Sequence, residues 1–294
     1  MKKNFFSIAC ILTLIAGTFI LRIGWQRHSI SIHTPIVQSY AITDVRKYLN
    51  PSLKPEEVLI VFDIDNTIAE SVSQLASAQW FTAMQKLKEQ CGMTKLQAIQ
   101  ATLPLYSLLV EHCPLQPVES TTVALIKQLQ DTGHKVMSLT IRSPEELKTC
   151  TVNQLAHIGI DFSRNAIYEK DIIFNNSVQY IDGILFVDGG NKGELLLHIL
   201  KHIGYMPKQI IFIDDKEYNH QAVENALAQN GIEHTCIWYR YCDAKVDAFE
   251  LALTESALLD LCQRYPAIQK AYQEWLHPFA AYSDMITHTC KAPA

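Results

Sequence analysis

The sequence lacks the cysteine spacings that announce a metal or redox role. Of its eight cysteines, Cys10 falls in the N-terminal segment, and Cys91, Cys113, Cys150, Cys236, Cys242, Cys262 and Cys290 stand singly. No two have the spacing of a zinc knuckle or a dithiol pair. Cys236 and Cys242 are left as either a pair or two separate buried thiols. Positive charge is also in short supply. The net charge is −5, and it becomes −8, 22 basic against 30 acidic residues, when Lys2, Lys3 and Arg22 are removed with the first segment. Such a chain repels a phosphate backbone on average, which excludes a nucleic-acid surface. Internal repeats and low-complexity tracts are missing too. With 48% hydrophobic residues among 294, disorder is excluded, and one large α/β core, alone or with a small appended domain, is expected.

What is present begins with Lys2 and Lys3 ahead of the apolar run Phe5 to Leu21. A basic end followed by an apolar segment is the order of an export signal, predicted over residues 1–24. No small-x-small cleavage site follows it, and a run of about 17 residues is at the lower edge of what spans a bilayer. The segment therefore reads as a cleaved signal or an anchor, and the chain as exported: periplasmic, secreted or held at a membrane only through this segment. Residues 25–55, with Pro35, Pro51 and Pro55, read as a tether to a folded domain over 56–294.

In that domain strands alternate with helices. Val58 to Phe62, Lys135 to Leu139, Gln209 to Ile213 and Thr235 to Tyr239 read as strands. Helices are predicted over Thr121 to Asp131, from Ser143 to about Ile158, over Glu194 to Ile203, and over Glu217 to Asn230. Ser143-Pro144-Glu145-Glu146 supplies an N-cap, a first-turn proline and first-turn acids. The alternation predicts an α/β fold with a parallel sheet covered on both faces and a ligand site beyond the carboxyl ends of its strands. Two insertions interrupt it: a small helical cap over 70–119 and a β-hairpin or meander over 165–190. Trp80, Phe81 and Tyr106 in the first either line a cavity or form core. A helical pattern over Asp247 to Trp275 is expected to close the sheet.

Carboxylates collect at the strand ends. Asp63-Ile64-Asp65-Asn66-Thr67 follows the first strand, and Asp214-Asp215 follows Ile210 to Ile213. A calcium loop starting at Asp63 is excluded, because Ile68 and Gln74 stand where Gly and Glu are needed. Two acid pairs facing each other repel unless a cation lies between them. Oxygen ligands with phosphate as companion suit Mg²⁺. Thr140 ends another strand, where it is an N-cap or a donor to a phosphoryl oxygen, and Lys192 stands ahead of a helix. Arg142 either reaches the substrate or bonds its own loop.

The order of these elements resembles the haloacid dehalogenase-like (HAD) superfamily: DxDxT, a strand-terminal Ser/Thr, a Lys before a helix, then a strand-terminal acid pair. The match covers roughly residues 56 to 240, and the chain is similar to an uncharacterised exported bacterial branch, a domain of unknown function. In a response-regulator receiver the acid pair comes first; here it comes last. The resemblance implies a Rossmannoid three-layer fold and a phosphoric monoester hydrolase acting on a small phosphate ester. In it Asp63 is the nucleophile that forms an aspartyl-phosphate, and Asp65 is the general acid and base. Thr140 and Lys192, with Arg142 as a further candidate, hold the phosphoryl oxygens. Mg²⁺ is bound by Asp63, the Asp65 backbone carbonyl, Asp214 and Asp215. The alternative is a non-catalytic exported protein that keeps the fold and contacts a host or envelope partner.

Overall fold

The computed structural model describes residues 36–277, so the predicted export segment and Cys290 lie outside the described residues. Along the chain come β1 (Val37–Ser39), a 3-10 stretch Ile42–Tyr48 and β2 (Val58–Phe62). An excursion follows with β3 (Ala69–Ser71), α1 (Ala78–Gln90), α2 (Lys95–His112) and β4 (Leu115–Pro117). The chain continues through α3 (Thr122–Asp131), β5 (Lys135–Thr140) and α4 (Pro144–His157) to β6 (Ile172–Ile173), β7 (Gln179–Ile181) and β8 (Ile184–Phe186). Then come α5 (Lys192–Ile203), β9 (Gln209–Asp214), α6 (Glu217–Gln229) and β10 (Glu233–Tyr239). Helices α7 (Asp243–Asp247), α8 (Glu255–Arg264) and α9 (Pro266–Leu276) complete the described chain.

The main sheet has the order β1-β10-β9-β2-β5-β8-β7-β6. Every pairing from β1 to β8 is parallel, and β7 and β6 add on antiparallel. All five residues of β2 and all six of β9 are buried, as strands covered on both faces require. Alternation sorts their side chains. Ile60, Phe62, Val136, Ile211 and Ile213 meet Leu125, Ile126 and Leu129 of α3 and Leu155 of α4 on one face. Leu59, Val61, Met137, Leu139, Ile210 and Phe212 meet Leu196 and Leu200 of α5 and Val223 and Leu227 of α6 on the other. The result is the expected three-layer α/β arrangement with a mostly parallel sheet.

Three expectations need correction. The tether over 25–55 is not one where it is described: β1 pairs with β10, and Ile42 and Val45 are buried against the main core. Those two sit three apart and so share a face, and each contributes about 1.5–3 kcal/mol by its burial. The meander expected over 165–190 is present as β6, β7 and β8, but it is not an insertion: it continues the main sheet, because β8 pairs parallel with β5 through Ser138↔Ile184 and Thr140↔Phe186. The helices after Asp247 do not close the sheet. Leu258, Leu261, Ile268 and Trp275 pack with Trp80, Leu105 and Leu109 into a separate helical core that also takes Leu147 from α4. Within it Trp80 and Tyr106 are buried.

Candidate active site

The β2 strand delivers Asp63 to the carboxyl edge of the sheet, where its backbone N–H donates to Ile213 O at 2.9 Å. The chain then turns tightly: Ile68 and Ala69 N–H both donate to Ile64 O at 3.0 Å, and Asn66 takes φ +59°. Asn tolerates that left-handed backbone better than a β-branched residue, which explains the polar residue at this point of the motif. Thr67 Oγ1 donates to Asp63 Oδ2 at 3.3 Å, and Asn66 Nδ2 donates to Asp215 Oδ2 at 3.2 Å. Gln79 of α1 holds the turn from the other side, donating to Asn66 Oδ1 at 3.1 Å.

Lys192 joins the two acidic strand ends. Its ammonium lies 2.6 Å from Asp63 Oδ1 and 2.6 Å from Asp214 Oδ2. It belongs to the first turn of α5 rather than standing ahead of it, with Asn191 as N-cap accepting from Glu194 N. Gly193 beside it is required by packing: a Cβ there would strike the Ala222 carbonyl and Ala226 of α6. The approach of α5 to α6 thus aims Lys192 into the site. Asp214 also accepts from Asn219 Nδ2, at 3.0 and 2.9 Å on its two oxygens, and from Lys216 N at 2.8 Å. Asp215 pairs with Lys216 Nζ at 2.8 Å.

Asp63, Asp214 and Asp215 each offer an oxygen, and the three oxygens lie within 4.8 Å of one another. Burial pushes the Asp63 carboxyl well above its usual range; Lys192 opposes this, and Asp214, Asp215 and Asp65 add to it. Burial likewise pushes Asp215 up, to about 6, against the pull of Lys216. Burial alone would lower the Lys192 pKa, but Asp214 and Asp63 outweigh it and raise it. The cluster thus gathers three carboxyls, Asp63, Asp214 and Asp215, against the two ammonium groups of Lys192 and Lys216. Its donors are all oxygens, a set that suits a hard divalent cation.

The remaining predicted residues divide. Thr140 is fully buried at the end of β5, next to β2, with its Oγ1 accepting from Arg142 N at 3.2 Å. Arg142 does not present its guanidinium to the Lys192 cluster. Nε and Nη2 donate to Asp65 Oδ2 and Oδ1 at 2.9 and 2.7 Å, and Nη1 donates to Thr151 Oγ1 at 2.9 Å. Sequence reasoning missed Asn219, which binds Asp214, and His220, whose Nε2 lies 2.8 Å from Asp214 O. Both stand in the first turn and a half of α6, close after the acid pair, and that proximity was the available signal. The six described cysteines are all free, so Cys236 and Cys242 are separate buried thiols.

Four motifs read from the sequence thus meet at one sheet edge, in agreement with the haloacid dehalogenase-like resemblance. A Chlamydia pneumoniae protein named as a candidate outer membrane protein is 27% identical over 186 residues, 63% of this chain and 70% of that protein. A Chlamydia trachomatis serovar D protein with the same kind of name is 23% identical over 184 residues, 61% of this chain and 68% of its own. Among solved structures, a haloacid dehalogenase-like family hydrolase of Streptococcus pneumoniae superposes with a TM-score of 0.39 and 15% identity, covering 60% of this chain and 82% of that one. A family model matches residues 38–276, and the chain accordingly belongs to the family described as Protein of unknown function (DUF2608).

Proposed function

We propose that this protein is a Mg²⁺-dependent phosphohydrolase that acts on a small phosphate monoester through an aspartyl-phosphate on Asp63. The observation that carries this reading is the Lys192 ammonium, 2.6 Å from both Asp63 and Asp214, beside a third carboxylate from Asp215. A buried carboxylate oriented by a lysine and faced by further acids is suited to phosphoryl transfer, which asks a protein mainly to align groups and offset charge.

Asp63, Asp214 and Asp215 would hold Mg²⁺, with the Asp65 backbone carbonyl completing the set. Bound there, the ion would neutralise phosphoryl charge and polarise the phosphorus centre. A free Asp63 oxygen attacks phosphorus in line, and the ester P–O bond breaks with its electron pair passing to the leaving oxygen, which takes a proton from the Asp65 carboxyl. Water then attacks the phosphorus and gives its proton back to Asp65, and the electron pair of the Asp63–P bond returns to Asp63. Lys192 offsets the charge on Asp63 throughout, and Thr140 donates to a phosphoryl oxygen. The α1–α2 insertion, which touches the Asp63 turn through Gln79, limits which esters enter.

The Lys2-Lys3 and Phe5 to Leu21 pattern, with the names of the Chlamydia relatives, supports action at the cell envelope. No helix among the described residues is long and apolar enough to cross a membrane. The test is release of phosphate from p-nitrophenyl phosphate by the purified protein with Mg²⁺. Activity should vanish with EDTA and in Asp63→Asn. Tight Mg²⁺ binding with no turnover of any phosphate ester would instead favour the non-catalytic reading.

A further inference from the structure

The Arg142 guanidinium is buried, its side chain only 4% exposed, and three of its nitrogens are committed, two to Asp65 and one to Thr151. Asp65 comes from the turn after β2 and Arg142 from the turn after β5, so the pair ties together two adjacent strand ends. Its geometry is fork on fork, with each carboxylate oxygen receiving its own N–H, an arrangement that fixes direction as well as distance. Thr151, nine residues on in α4, fixes the guanidinium in turn, and the Arg142 N–H to Thr140 Oγ1 fixes its backbone. Asp65 is otherwise the least enclosed acid of the cluster, its side chain 24% exposed, against 8% for Asp63 and 0% for Asp214. A partly exposed carboxylate with no such partner would sample several rotamers.

We propose that Arg142 is a positioning residue: its two-point grip on Asp65, itself held by Thr151, sets where the Asp65 carboxyl lies for both proton transfers. The proposal rests on the reaction given above. Asp65 does the proton chemistry, and Arg142 acts through it without touching the phosphoryl group. Loss of the grip weakens the proton donation that a poor leaving group needs. An aryl phosphate, whose phenolate departs without much help, is affected less. General acid catalysis is worth about 10²–10⁴-fold, so the difference is measurable.

The experiment compares kcat/KM, which reports transfer to Asp63, for p-nitrophenyl phosphate and for glycerol 2-phosphate in wild type, Arg142→Gln, Arg142→Lys and Asp65→Asn. For Arg142→Gln the value with the alkyl ester should fall at least about tenfold further than with the aryl ester, in the pattern of Asp65→Asn. Arg142→Lys keeps the charge but not the fork and should resemble Gln. An equal fall with both esters, the mark of a merely structural role, overturns the proposal, as does a Lys variant with wild-type behaviour. A crystal structure of Arg142→Gln, or of Arg142→Lys if the former does not fold, gives a second readout. The Asp65 carboxyl should leave its place, and finding it unmoved overturns the proposal whatever the activity. A wild type that hydrolyses neither ester sinks the phosphatase reading, and the structural readout still decides on Arg142.

Discussion

Asn219 Nδ2 lies 3.0 and 2.9 Å from the two oxygens of Asp214, so one amide from α6 orients an entire buried carboxylate at the end of β9. The two residues are only five apart, and the helix that begins after the acid pair returns Asn219 over it. Partners of this kind fix a ligand's direction, and their loss typically costs about 10–100-fold in metal affinity. Asn219→Ala should therefore weaken Mg²⁺ binding by about that factor while leaving the fold intact. Calorimetric titration checks it; unchanged affinity would mean that Asp214 is held adequately by Lys192 and the Lys216 N–H alone.

Removing Lys192 has a different consequence. Lys192→Ala leaves Asp63 and Asp214 facing each other without the ammonium that bridges them. Stripping one partner from a buried ion pair costs about 3–5 kcal/mol. The loss should appear in urea unfolding in EDTA and shrink when Mg²⁺ is added, since a ligand that binds only the folded state stabilises it. A variant as stable as wild type in EDTA would show that the two carboxyls protonate at little cost.

How far these relationships were readable follows from their distance in sequence. β2, β5 and β9 were legible because each is a short, largely apolar run with a polar residue at its end or directly after it. The Asp63, Thr140 and Asp214 positions followed from those ends, and Lys192 from its place at the start of the next helix. β1 was not legible: it is three residues long, one of them buried, and its partner strand lies some 200 positions away in Ile237 to Tyr239. The Arg142–Asp65 pair spans 77 positions, and nothing local marks it. β8 reads as half of a hairpin from its Asp182-Gly183 turn, since its second partner, β5, lies across the whole of α4. The destination of α8 and α9 was hidden for a related reason. An amphipathic pattern states that a face is buried, not against what.

That destination is testable through Ile268, fully buried among Leu105, Leu109 and Leu258. Ile268→Ala removes buried methyl groups and leaves a cavity, which costs about 2–5 kcal/mol. If the C-terminal helices are an integral part of the fold, the urea midpoint of the whole transition drops. If they are only peripheral, the main transition stays in place and a separate early phase appears.

His220 makes a contribution of definite sign to the pH dependence of stability. The ring is buried, Nε2 faces Asp214 O at 2.8 Å, and burial lowers its pKa below 6.5 despite the opposing pull of Asp214. The folded protein thus resists protonation that the unfolded chain accepts, so the unfolded state binds more protons in the window just below pH 6.5. Stability from this group is full above that pH and is lost as pH falls toward the lowered folded value. Asp63 and Asp215 act in the opposite sense, because their raised pKa values make the folded state bind more protons than the unfolded one at mildly acid pH. Comparison with His220→Gln separates the two. Between pH 7.5 and 5.5 the wild type should lose stability relative to the variant, by at most about 1.4 kcal/mol per pH unit. Urea unfolding in EDTA at several pH values measures this, and parallel curves for the two proteins would mean that His220 takes up its proton equally well folded and unfolded.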